Sequence, residues 1–354
     1  MRVGLTVYGS LGERSGGFRY DRKLVEGLRA GGDTVEVVEL PWRSYGRGLL
    51  DNVSGDLRDR LRVDVDVMVQ DELAHPSLLR ANRRLPYPIV SVVHHLRASE
   101  GRRLSPLYRA VERRYLGTID GAVCNSEVTR DVVTGLGVDP DATVVAPPAG
   151  DRFDPDIGDD EIGARARERP LRLVFVGNVA PRKGLDTLVE GLAAADGEAE
   201  LTVVGRTVDE GHAEDVRRLI RRRGLTDRVR IAGELSDDRL AATLRSSHVL
   251  AVPSRYEGFG IVYLEGMGFG LPAIASRAGG ATETVTDGEN GVLVDPDDPA
   301  AVARAITRFG ADRDRLASMG IAARRRYERQ PGWPAVTARV RSFLAEVAGQ
   351  EVAA

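Results

Sequence analysis

Short apolar runs alternate with helix-length amphipathic stretches along the whole chain, and this alternation is the strongest constraint on its fold. Runs of valine, isoleucine and leucine separated by helices are typical of parallel sheets covered by helices on both faces. The predicted strands are 2–8, 34–40, 65–69, 89–93, 120–124, 143–146, 171–177, 199–205, 228–233, 248–253 and 271–276. The helices predicted in the first half are 18–30, 76–84, 104–116 and 126–136. The sequence therefore predicts an α/β fold.

A segment rich in proline, glycine and acidic residues interrupts the alternation after Pro147-Pro148, and the pattern restarts at 171. A chain of 354 residues is too long for one ordinary core and suits two domains. We predict one Rossmann-like domain at 1–160 and a second at 161–330. Apolar residues at helical spacing predict a closing helix within the tail, 331–354.

The composition argues against several classes of protein. With 50 basic and 53 acidic side chains, the formal net charge is −3, which does not suit a dedicated nucleic-acid binder. A single cysteine, Cys124, cannot form an internal disulfide, and no Cys/His cluster has metal-site spacing. The opening MRVGLTVYGS is typical of a strand rather than a targeting segment, and the apolar runs are short of the ~20 residues of a membrane span. We expect a cytoplasmic protein.

The segment EGFGIVYLEGMGFGLP, at 257–272, is the strongest functional motif. It follows a predicted strand, so Glu257, Gly258 and Gly260 are expected in a loop before a helix that begins near Ile261. Free amides at a helix N-terminus attract phosphate, and glycine lets the backbone approach closely. Glu265 could then accept hydrogen bonds from ribose hydroxyls, and Glu257 could do the same for a sugar. An isolated pair of glutamates at this spacing would equally suit two exposed side chains.

A second motif, FVGNVAPRKGLDTLVEGL at 175–192, places two cations after a strand that ends at Gly177. Arg182 and Lys183 could grip a diphosphate and stabilise the charge that builds on it as a leaving group. The alternative is a solvated basic turn. Only two lysines, Lys23 and Lys183, stand among the 50 basic residues, which favours a specific role for Lys183.

Together with SRAGGATETVTDGENGVLVDPDD at 276–298, these motifs resemble the retaining glycosyltransferases of family 4. The resemblance implies a GT-B fold, in which two Rossmann-like domains face each other across a cleft. It also implies that the second domain holds a nucleotide-sugar donor: its diphosphate on Arg182 and Lys183, its ribose on Glu265 and its transferred sugar on Glu257. The remaining donor-binding positions in this domain are predicted at Gly177, Gly258, Phe259 and Gly260.

The first domain offers less specific candidates. His94 and His95 close a predicted strand, where a histidine could bind a sugar hydroxyl or transfer a proton. The family resemblance favours His94 for this catalytic role, with an ordinary structural histidine as the alternative. The same resemblance places Gly16 and Gly17 beside the donor phosphates or the acceptor, and a flexible connection is their alternative.

A basic stretch lies within 76–116, where nine arginines face only Glu100 and Glu112, a net charge of +7. Its helix, 104–116, is amphipathic, so it could lie on an anionic membrane surface or attract an acidic acceptor. A core-packed helix with a solvated cationic face explains the same pattern.

The predicted function is transfer of a sugar from a nucleoside-diphosphate sugar to a hydroxyl of a glycan or lipid-linked acceptor, with retention of anomeric configuration. No cofactor is expected, and no metal is needed if Arg182 and Lys183 neutralise the leaving diphosphate. Asp-x-Asp strings, which hold a divalent ion in other glycosyltransferases, occur here at predicted turns or at the start of a strand. A nucleotide-sugar epimerase and a non-catalytic sugar-nucleotide binding protein are the alternatives. The sequence identifies neither the nucleobase, the sugar nor the acceptor.

Overall fold

Two parallel six-stranded sheets organise the chain. The computed structural model describes residues 1–13, 15–53, 55–101 and 104–350. The strands are β1 (Arg2–Tyr8), β2 (Thr34–Leu40), β3 (Val67–Asp71), β4 (Ile89–Val93), β5 (Gly121–Cys124), β6 (Thr143–Val145), β7 (Leu171–Val176), β8 (Ala199–Val204), β9 (Val229–Gly233), β10 (Val249–Val252), β11 (Ala273–Ser276) and β12 (Gly291–Val294). The α/β class predicted from the sequence is confirmed.

Helices connect the strands in both halves. They are α1 (Gly16–Ala30), α2 (Tyr45–Asp51), α3 (Gly55–Arg60), α4 (His75–Leu78), α5 (Ser105–Leu116), α6 (Glu127–Gly135), α7 (Asp159–Ala166), α8 (Leu185–Ala194), α9 (Glu210–Arg222), α10 (Asp237–Ser246), α11 (Ile261–Gly268), α12 (Pro299–Ala311), α13 (Arg313–Glu328) and α14 (Trp333–Val347). The chain divides into two compact units, the first made of Met1–Pro148 and Pro331–Ala354, the second of Ala149–Gln330.

The sheet of the first unit has the strand order β2-β1-β3-β4-β5-β6. Its pairs are parallel, as where Val3 of β1 lies between Val35 of β2 and Val67 of β3. Every residue of β4 is buried, as expected for a strand with helices on both faces. The chain reverses its direction of travel across the sheet between β1 and β3, and open α/β sheets bind ligands outside the carboxyl ends of strands at such a point.

The sheet of the second unit has the order β12-β11-β10-β7-β8-β9, the doubly wound Rossmann arrangement. Its corresponding reversal lies between β7 and β10, which pair through Leu173 with Val249 and Val174 with Leu250. The loops that leave these two strands are the ones that carry both motifs of the sequence. The second sheet therefore brings the two motifs to one edge.

The predicted closing helix is present as α14 and packs in the first unit. The Trp333 ring meets Tyr20 edge to face at 5.3 Å between centroids. Phe343 lies over Gly121, where a Cβ would be 2.8 Å from the phenyl ring. Arg341 Nε donates to Asp33 at 2.8 Å, and Asp33 also pairs with the amino terminus of Met1.

The segment that the sequence suggests as a linker belongs to the second unit. Tyr327 donates its hydroxyl hydrogen to the Phe153 carbonyl at 3.1 Å, which ties the segment to α13. Helix α7 forms within the segment, and its buried Arg165 donates to the carbonyls of Phe269 and Gly270 at 2.8 and 3.0 Å. The division after Pro148 thus lies 12 residues before the boundary expected from the sequence.

Several elements differ from the sequence-based expectation. The helix expected at 76–84 is shorter, α4 followed by a 3-10 turn at Asn82–Arg84. Helices α2 and α3 and strand β12 were not predicted. Helix α3 has six residues and β12 has four, too few to show a clear hydrophobic period.

Candidate active site

The predicted diphosphate-binding residues lie in a short 3-10 turn, Pro181–Lys183, between β7 and α8. Gly184 follows with a φ of 66°, and a Cβ there would collide with the carbonyl of Pro253 at the end of β10. Arg255 holds the turn from the other side: its backbone amide donates to the Arg182 carbonyl at 2.7 Å, and its guanidinium pairs with Asp186 at 2.7 Å. The turn is therefore fixed against the end of the neighbouring strand.

Arg182 and Lys183 both face Glu257. Lys183 Nζ forms a short hydrogen-bonded ion pair with Glu257 Oε1, to which Ser254 Oγ also donates at 2.7 Å. Arg182 Nη1 lies 3.5 Å from Glu257 Oε2 and donates to the Tyr256 carbonyl at 2.9 Å. The structure thus joins the two sequence motifs through one carboxylate.

The cluster is buried, and its charges perturb one another. Burial alone would raise the pKa of Glu257, but the charges of Lys183 and Arg182 and the bonds from Lys183 and Ser254 lower it to about 2. The pKa of Lys183 is lowered because burial disfavours its charge more than Glu257 supports it. At neutral pH Glu257 is therefore a carboxylate held between two cations.

Close backbone contacts at glycine residues hold the loop from Glu257 to Gly260. The Gly280 amide donates to the Glu257 carbonyl at 2.8 Å, and a Cβ on Gly280 would collide with the Gly258 carbonyl. Gly260, directly before α11, has a φ of 83°, and a Cβ on this residue would overlap the Tyr263 ring. These close approaches explain why glycine recurs in this loop and bring the start of α11 to the same edge as Lys183.

The other predicted donor-binding residues of this unit lie in different surroundings. Glu265 is buried on α11, with Arg152 Nη1 at 3.7 Å from its Oε2. The Phe259 side chain is buried in the hydrophobic core, so only its backbone could contact a ligand. Gly177 directly follows β7, and a Cβ on this residue would be 3.4 Å from Lys183 Cε. At that distance a side chain at 177 would be in ordinary van der Waals contact with Lys183.

His94, Gly16 and Gly17 lie in the first unit, at the carboxyl ends of its strands. His94 follows β4, and its ring meets Tyr20 edge to face at 5.3 Å. Gly17 lies under the ring, where a Cβ would be 3.0 Å from His94 Cδ2, whereas Gly16 is exposed at the start of α1. The side-chain amide of Asn125 donates to the His94 carbonyl at 2.8 Å. His94 is thus held in one orientation.

Three carboxylates that the sequence analysis missed lie near His94. Asp21 Oδ1 is 3.4 Å from His94 Nε2, and Glu72 Oε2 accepts from the His94 amide at 3.0 Å. Burial by itself lowers the pKa of His94, but Asp21 and Glu72 outweigh it and raise the pKa. Asp71 is fully buried, and burial with the charges of Asp21 and Glu72 raises its pKa well above the usual range.

Sequence signals for these carboxylates did exist. Asp21 occupies the buried face of α1, between Phe18 and Val25, where helical spacing calls for an apolar residue. Asp71 and Glu72 follow the apolar run of β3, at the strand end where ligands of α/β sheets bind. His95, for which the sequence favours neither a functional nor a structural role, shares a hydrogen bond with Glu100 at 3.0 Å. In the second unit, Ser254 and Arg152 were also missed.

Models of two protein families match the chain. The model of the family "Glycosyl transferases group 1" matches residues 159–326, and the model of the family "Glycosyltransferase Family 4" matches residues 13–151. The first match contains every predicted site residue of the second unit, and the second contains Gly16, Gly17 and His94.

Curated relatives agree with these matches. A GDP-mannose-dependent alpha-(1-6)-phosphatidylinositol monomannoside mannosyltransferase of Mycobacterium tuberculosis is 35% identical over 262 residues, 69% of this chain and 66% of that protein. A D-inositol 3-phosphate glycosyltransferase of Xylanimonas cellulosilytica is 33% identical over 288 residues, 75% of this chain and 68% of the relative. The chain thus spans about two thirds of the length of these relatives.

Solved structures share the fold. Sucrose-phosphate synthase from Thermosynechococcus elongatus has a TM-score of 0.84 at 22% identity, covering 98% of this chain and 99% of that one. Anabaena HepE in complex with UDP-glucose has a TM-score of 0.77 at 18% identity, covering 98% of this chain and 100% of that one. The predicted GT-B fold class is confirmed. With its two family matches and relatives above 30% identity, the chain belongs to glycosyltransferase family 4.

Proposed function

We propose that this chain transfers a glycosyl unit from a nucleoside-diphosphate sugar to a hydroxyl acceptor, with retention of anomeric configuration. The observation that carries the proposal is the cluster of Arg182, Lys183 and Glu257 at the carboxyl ends of β7 and β10. Two cations at this position suit a ligand with a concentrated negative charge.

Lys183 is the central donor-binding residue of this proposal. An ammonium group has three N–H donors, so Lys183 can keep its bond to Glu257 and still donate to a phosphate oxygen. Arg182 adds a guanidinium held by the Tyr256 carbonyl. Glu265, on the following helix, would accept hydrogen bonds from the ribose hydroxyls, and Glu257 Oε2 would face the transferred sugar.

Retention is proposed through attack of the acceptor on the sugar face that the diphosphate leaves. The departing phosphate oxygen would take the acceptor proton. Glu257 suits neither of the usual carboxyl roles: with a pKa of about 2 it carries no proton to donate, and its pairing with two cations weakens it as a nucleophile. This favours a mechanism without a protein-bound glycosyl intermediate.

Neutralisation of the leaving diphosphate is proposed to need no metal. Arg182 and Lys183 supply two positive charges against one from Glu257, so a net positive charge faces the ligand. A Mg²⁺ titration tests this point: the rate of donor hydrolysis should stay constant, and a strict requirement for Mg²⁺ would overturn it. No cofactor enters the proposed reaction.

The names of similar proteins narrow the donor and acceptor to be tested. One relative is named as GDP-mannose-dependent, and the Anabaena protein was solved with UDP-glucose. Acceptors named for the relatives contain inositol, either in a phosphatidylinositol monomannoside or as D-inositol 3-phosphate. A thermal-shift screen with UDP, GDP and ADP should identify the base, because a ligand that binds the native state stabilises it.

His94 is proposed to act on a hydroxyl of the sugar or acceptor, with Gly16 and Gly17 forming the adjacent wall. Support comes from its place at the end of β4 and from the packing of Gly17 against its ring. Its predicted role in proton transfer is a separate possibility for the same atom, Nε2. Replacing His94 with glutamine should reduce turnover more than it weakens binding of a nucleoside diphosphate.

We also propose that the first unit contacts an anionic membrane surface through the outer face of α5. The inner face of α5 buries Val111 and Tyr115. On the outer side, Leu107 is 55% exposed, and Leu104, just before the helix, is 52% exposed. Arg109, Arg113 and Arg114 are exposed on the same helix. Exposed leucines beside arginines are typical of peripheral membrane contacts. Arg102 and Arg103 of the predicted basic stretch lie outside the described residues.

Flotation with phosphatidylglycerol vesicles at low and high salt tests this contact. Replacing Leu104 and Leu107 with serine should abolish salt-sensitive flotation, and the same replacement of the exposed Val208 should not. Equal flotation of both variants would refute a contact through α5. No helix of the described residues is long and apolar enough to cross a membrane. A cytoplasmic location stays a prediction.

One incubation separates the proposed transferase from its alternatives. With a panel of nucleotide sugars, a transferase should hydrolyse one donor slowly and faster with an acceptor, and the anomeric signal of the product should match that of the donor. Formation of an epimer without acceptor would favour an epimerase. Binding without turnover would favour a sugar-nucleotide binding protein.

A further inference from the structure

A cavity of about 210 Å³ opens on the first unit, and none of the candidate active-site residues lines it. Two stretches of chain form its wall: the end of α2 with the start of α3, and the residues that join α4 to β4. Leu57 and Ala81 line the cavity with side chains that are buried. Sites for drug-sized ligands usually have ~300 to 1,000 Å³, so this cavity suits a smaller group.

Three arginines line the cavity: Arg58 on α3, and Arg80 and Arg84 between α4 and β4. Among the residues that the structure describes, their guanidinium groups form no ion pair and no hydrogen bond. The Nε atom of Arg58 is buried and unpartnered, although buried polar atoms nearly always have a partner. Three positive charges therefore face one cavity.

Asp51 is the one carboxylate among the described residues that line the cavity, and its charge is compensated elsewhere. Asp51 Oδ2 accepts from Ser77 Oγ at 2.9 Å and lies 3.5 Å from Arg43 Nε. Arg43, which does not line the cavity, balances this carboxylate. The charges of the three lining arginines thus have no counterpart in the protein.

The two sides of the cavity are joined by Asn52, at the end of α2. Its side-chain amide donates to the carbonyls of Leu49 and Pro76 at 3.1 and 2.7 Å. Its Oδ1 accepts from the backbone amide of Arg80 at 3.0 Å. The arginines therefore face a space that is formed in advance, which lowers the cost of binding a ligand there.

A depression on the second unit shows the contrast. It is larger, about 440 Å³, and is also lined by three arginines, Arg167, Arg169 and Arg313. Its wall contains two carboxylates as well, those of Asp312 and Asp314, and Arg167 lies 3.6 Å from Asp314. Arginines beside acids at a surface need no ligand to balance them.

We propose that the arginine cavity, lined by Arg58, Arg80 and Arg84, binds a phosphate monoester. Guanidinium groups donate forked pairs of hydrogen bonds that match the oxygens of a phosphate. A phosphate monoester carries about 1.5 to 2 negative charges at neutral pH, which would offset most of the repulsion among three arginines. The size of the cavity suits a phosphoryl group with a small part of the molecule that carries it.

This inference goes beyond the proposed function and does not depend on it. The three arginines lie in the first unit, whereas Arg182 and Lys183, which are proposed to bind the donor diphosphate, lie in the second. A soluble phosphate ester and the headgroup of phosphatidic acid present the same chemical group, so the test uses both.

Calorimetric titration of the full chain with glycerol 3-phosphate tests the proposal. Arg58→Gln and Arg84→Gln should each weaken binding about 10- to 100-fold, because each removes a charged hydrogen-bond donor. Arg60→Gln is the matched control, since Arg60 is exposed on the same helix and does not line the cavity. It should bind like the original protein.

The variants are expected to remain folded. Arg58→Gln should melt no lower than the original protein in the absence of phosphate, because it removes one of three charges that repel one another. The Arg84 side chain is exposed, so its replacement leaves the core intact, and circular dichroism checks both variants.

Sedimentation with phosphatidic acid vesicles distinguishes the two sources of the phosphate. Binding to the vesicles that both cavity variants lose would identify a lipid headgroup as the ligand. Binding of glycerol 3-phosphate without binding to vesicles would identify a soluble ester.

Three results would overturn the proposal. One is equal affinity of the original protein and Arg58→Gln for glycerol 3-phosphate, with no loss of vesicle binding. Another is a loss of phosphate binding in Lys183→Met but in neither cavity variant, which would place the phosphate in the second unit. The third is an equal rise in Tm with potassium chloride at matched ionic strength, which would reduce the effect to screening of charge.

Discussion

Replacing Lys183 with methionine removes the ammonium group that faces Glu257 and keeps a side chain of similar length. The pKa of Glu257 is lowered from 4.5 to about 2, which corresponds to about 3 kcal/mol of net favourable interaction with its charged form. After the substitution Glu257 keeps Ser254 at 2.7 Å and Arg182 at 3.5 Å, so only part of this is lost. We expect Lys183→Met to lower the free energy of unfolding by about 2 kcal/mol.

Removing the charge of Glu257 should destabilise the protein less than removing the charge of Lys183. The same change should restore stability to the Lys183→Met variant. Glu257→Gln leaves Lys183 buried, but burial already lowers the pKa of this lysine, so it can lose its proton. We expect a cost of about 1 kcal/mol. The double variant should lose about 2 kcal/mol less than the sum of the single variants, since neither Lys183 nor Glu257 is then left buried without the other.

Urea denaturation followed by circular dichroism measures these stabilities, and calorimetric titration with GDP or UDP measures binding. Lys183→Met should weaken nucleoside-diphosphate binding about 10- to 100-fold, because it removes a charged hydrogen-bond donor. The double variant should recover stability but not affinity. Additive stabilities, or full affinity in Lys183→Met, would falsify the reasoning. Arg167→Met, an exposed arginine of the same unit, serves as the control.

Three further predictions concern glycine, pH and cysteine. Gly184→Ala should lower the free energy of unfolding by about 2 to 4 kcal/mol, because φ is 66° and the methyl group collides with Pro253. Gly197→Ala, whose methyl group would meet open space, should lower the free energy of unfolding by only about 1 kcal/mol. Thermal melts compare the two variants, and equal losses would contradict the packing argument. The stability that Glu257 contributes is present above pH 4.5 and is lost as the pH falls toward 2. The urea midpoint of Glu257→Gln should therefore vary less with pH in that window than the midpoint of the original protein. Parallel pH profiles of the two proteins would contradict this prediction. Burial raises the pKa of the Cys124 thiol to about 12, so Ellman's reagent should react with it only on unfolding, and rapid reaction of the native protein would refute this.

Much of the framework could be predicted because its strands are buried on both faces. Runs such as IVSVV and LRLVFV contain little else than apolar residues, so their type and bounds follow from composition and length. Strand β12, GVLV, has four residues between turns and gives too short a signal. The linker segment was harder, because α7 is stabilised by hydrogen bonds of Arg165 to distant carbonyls.

The candidate site could be predicted only in part. Motif spacing placed Lys183 and Glu257 at strand ends, but their direct pairing depends on the order of strands, in which β7 lies beside β10. The same holds for Asp21 and His94, which meet only because α1 packs near the end of β4. Local sequence identifies strand ends well, whereas the contact between two ends is a property of topology.

Helix α14 has a consequence for the order of events during synthesis. The first unit needs this helix to cover Tyr20 and Gly121, yet α14 emerges from the ribosome after the whole of the second unit. The unit that begins first is therefore completed last, and its apolar surface on α1 is exposed to chaperones and proteases until then. We expect a chain released at Gln330 to keep a protease-resistant second unit and a degraded first one. Equal resistance of both units would show that α14 is dispensable for folding.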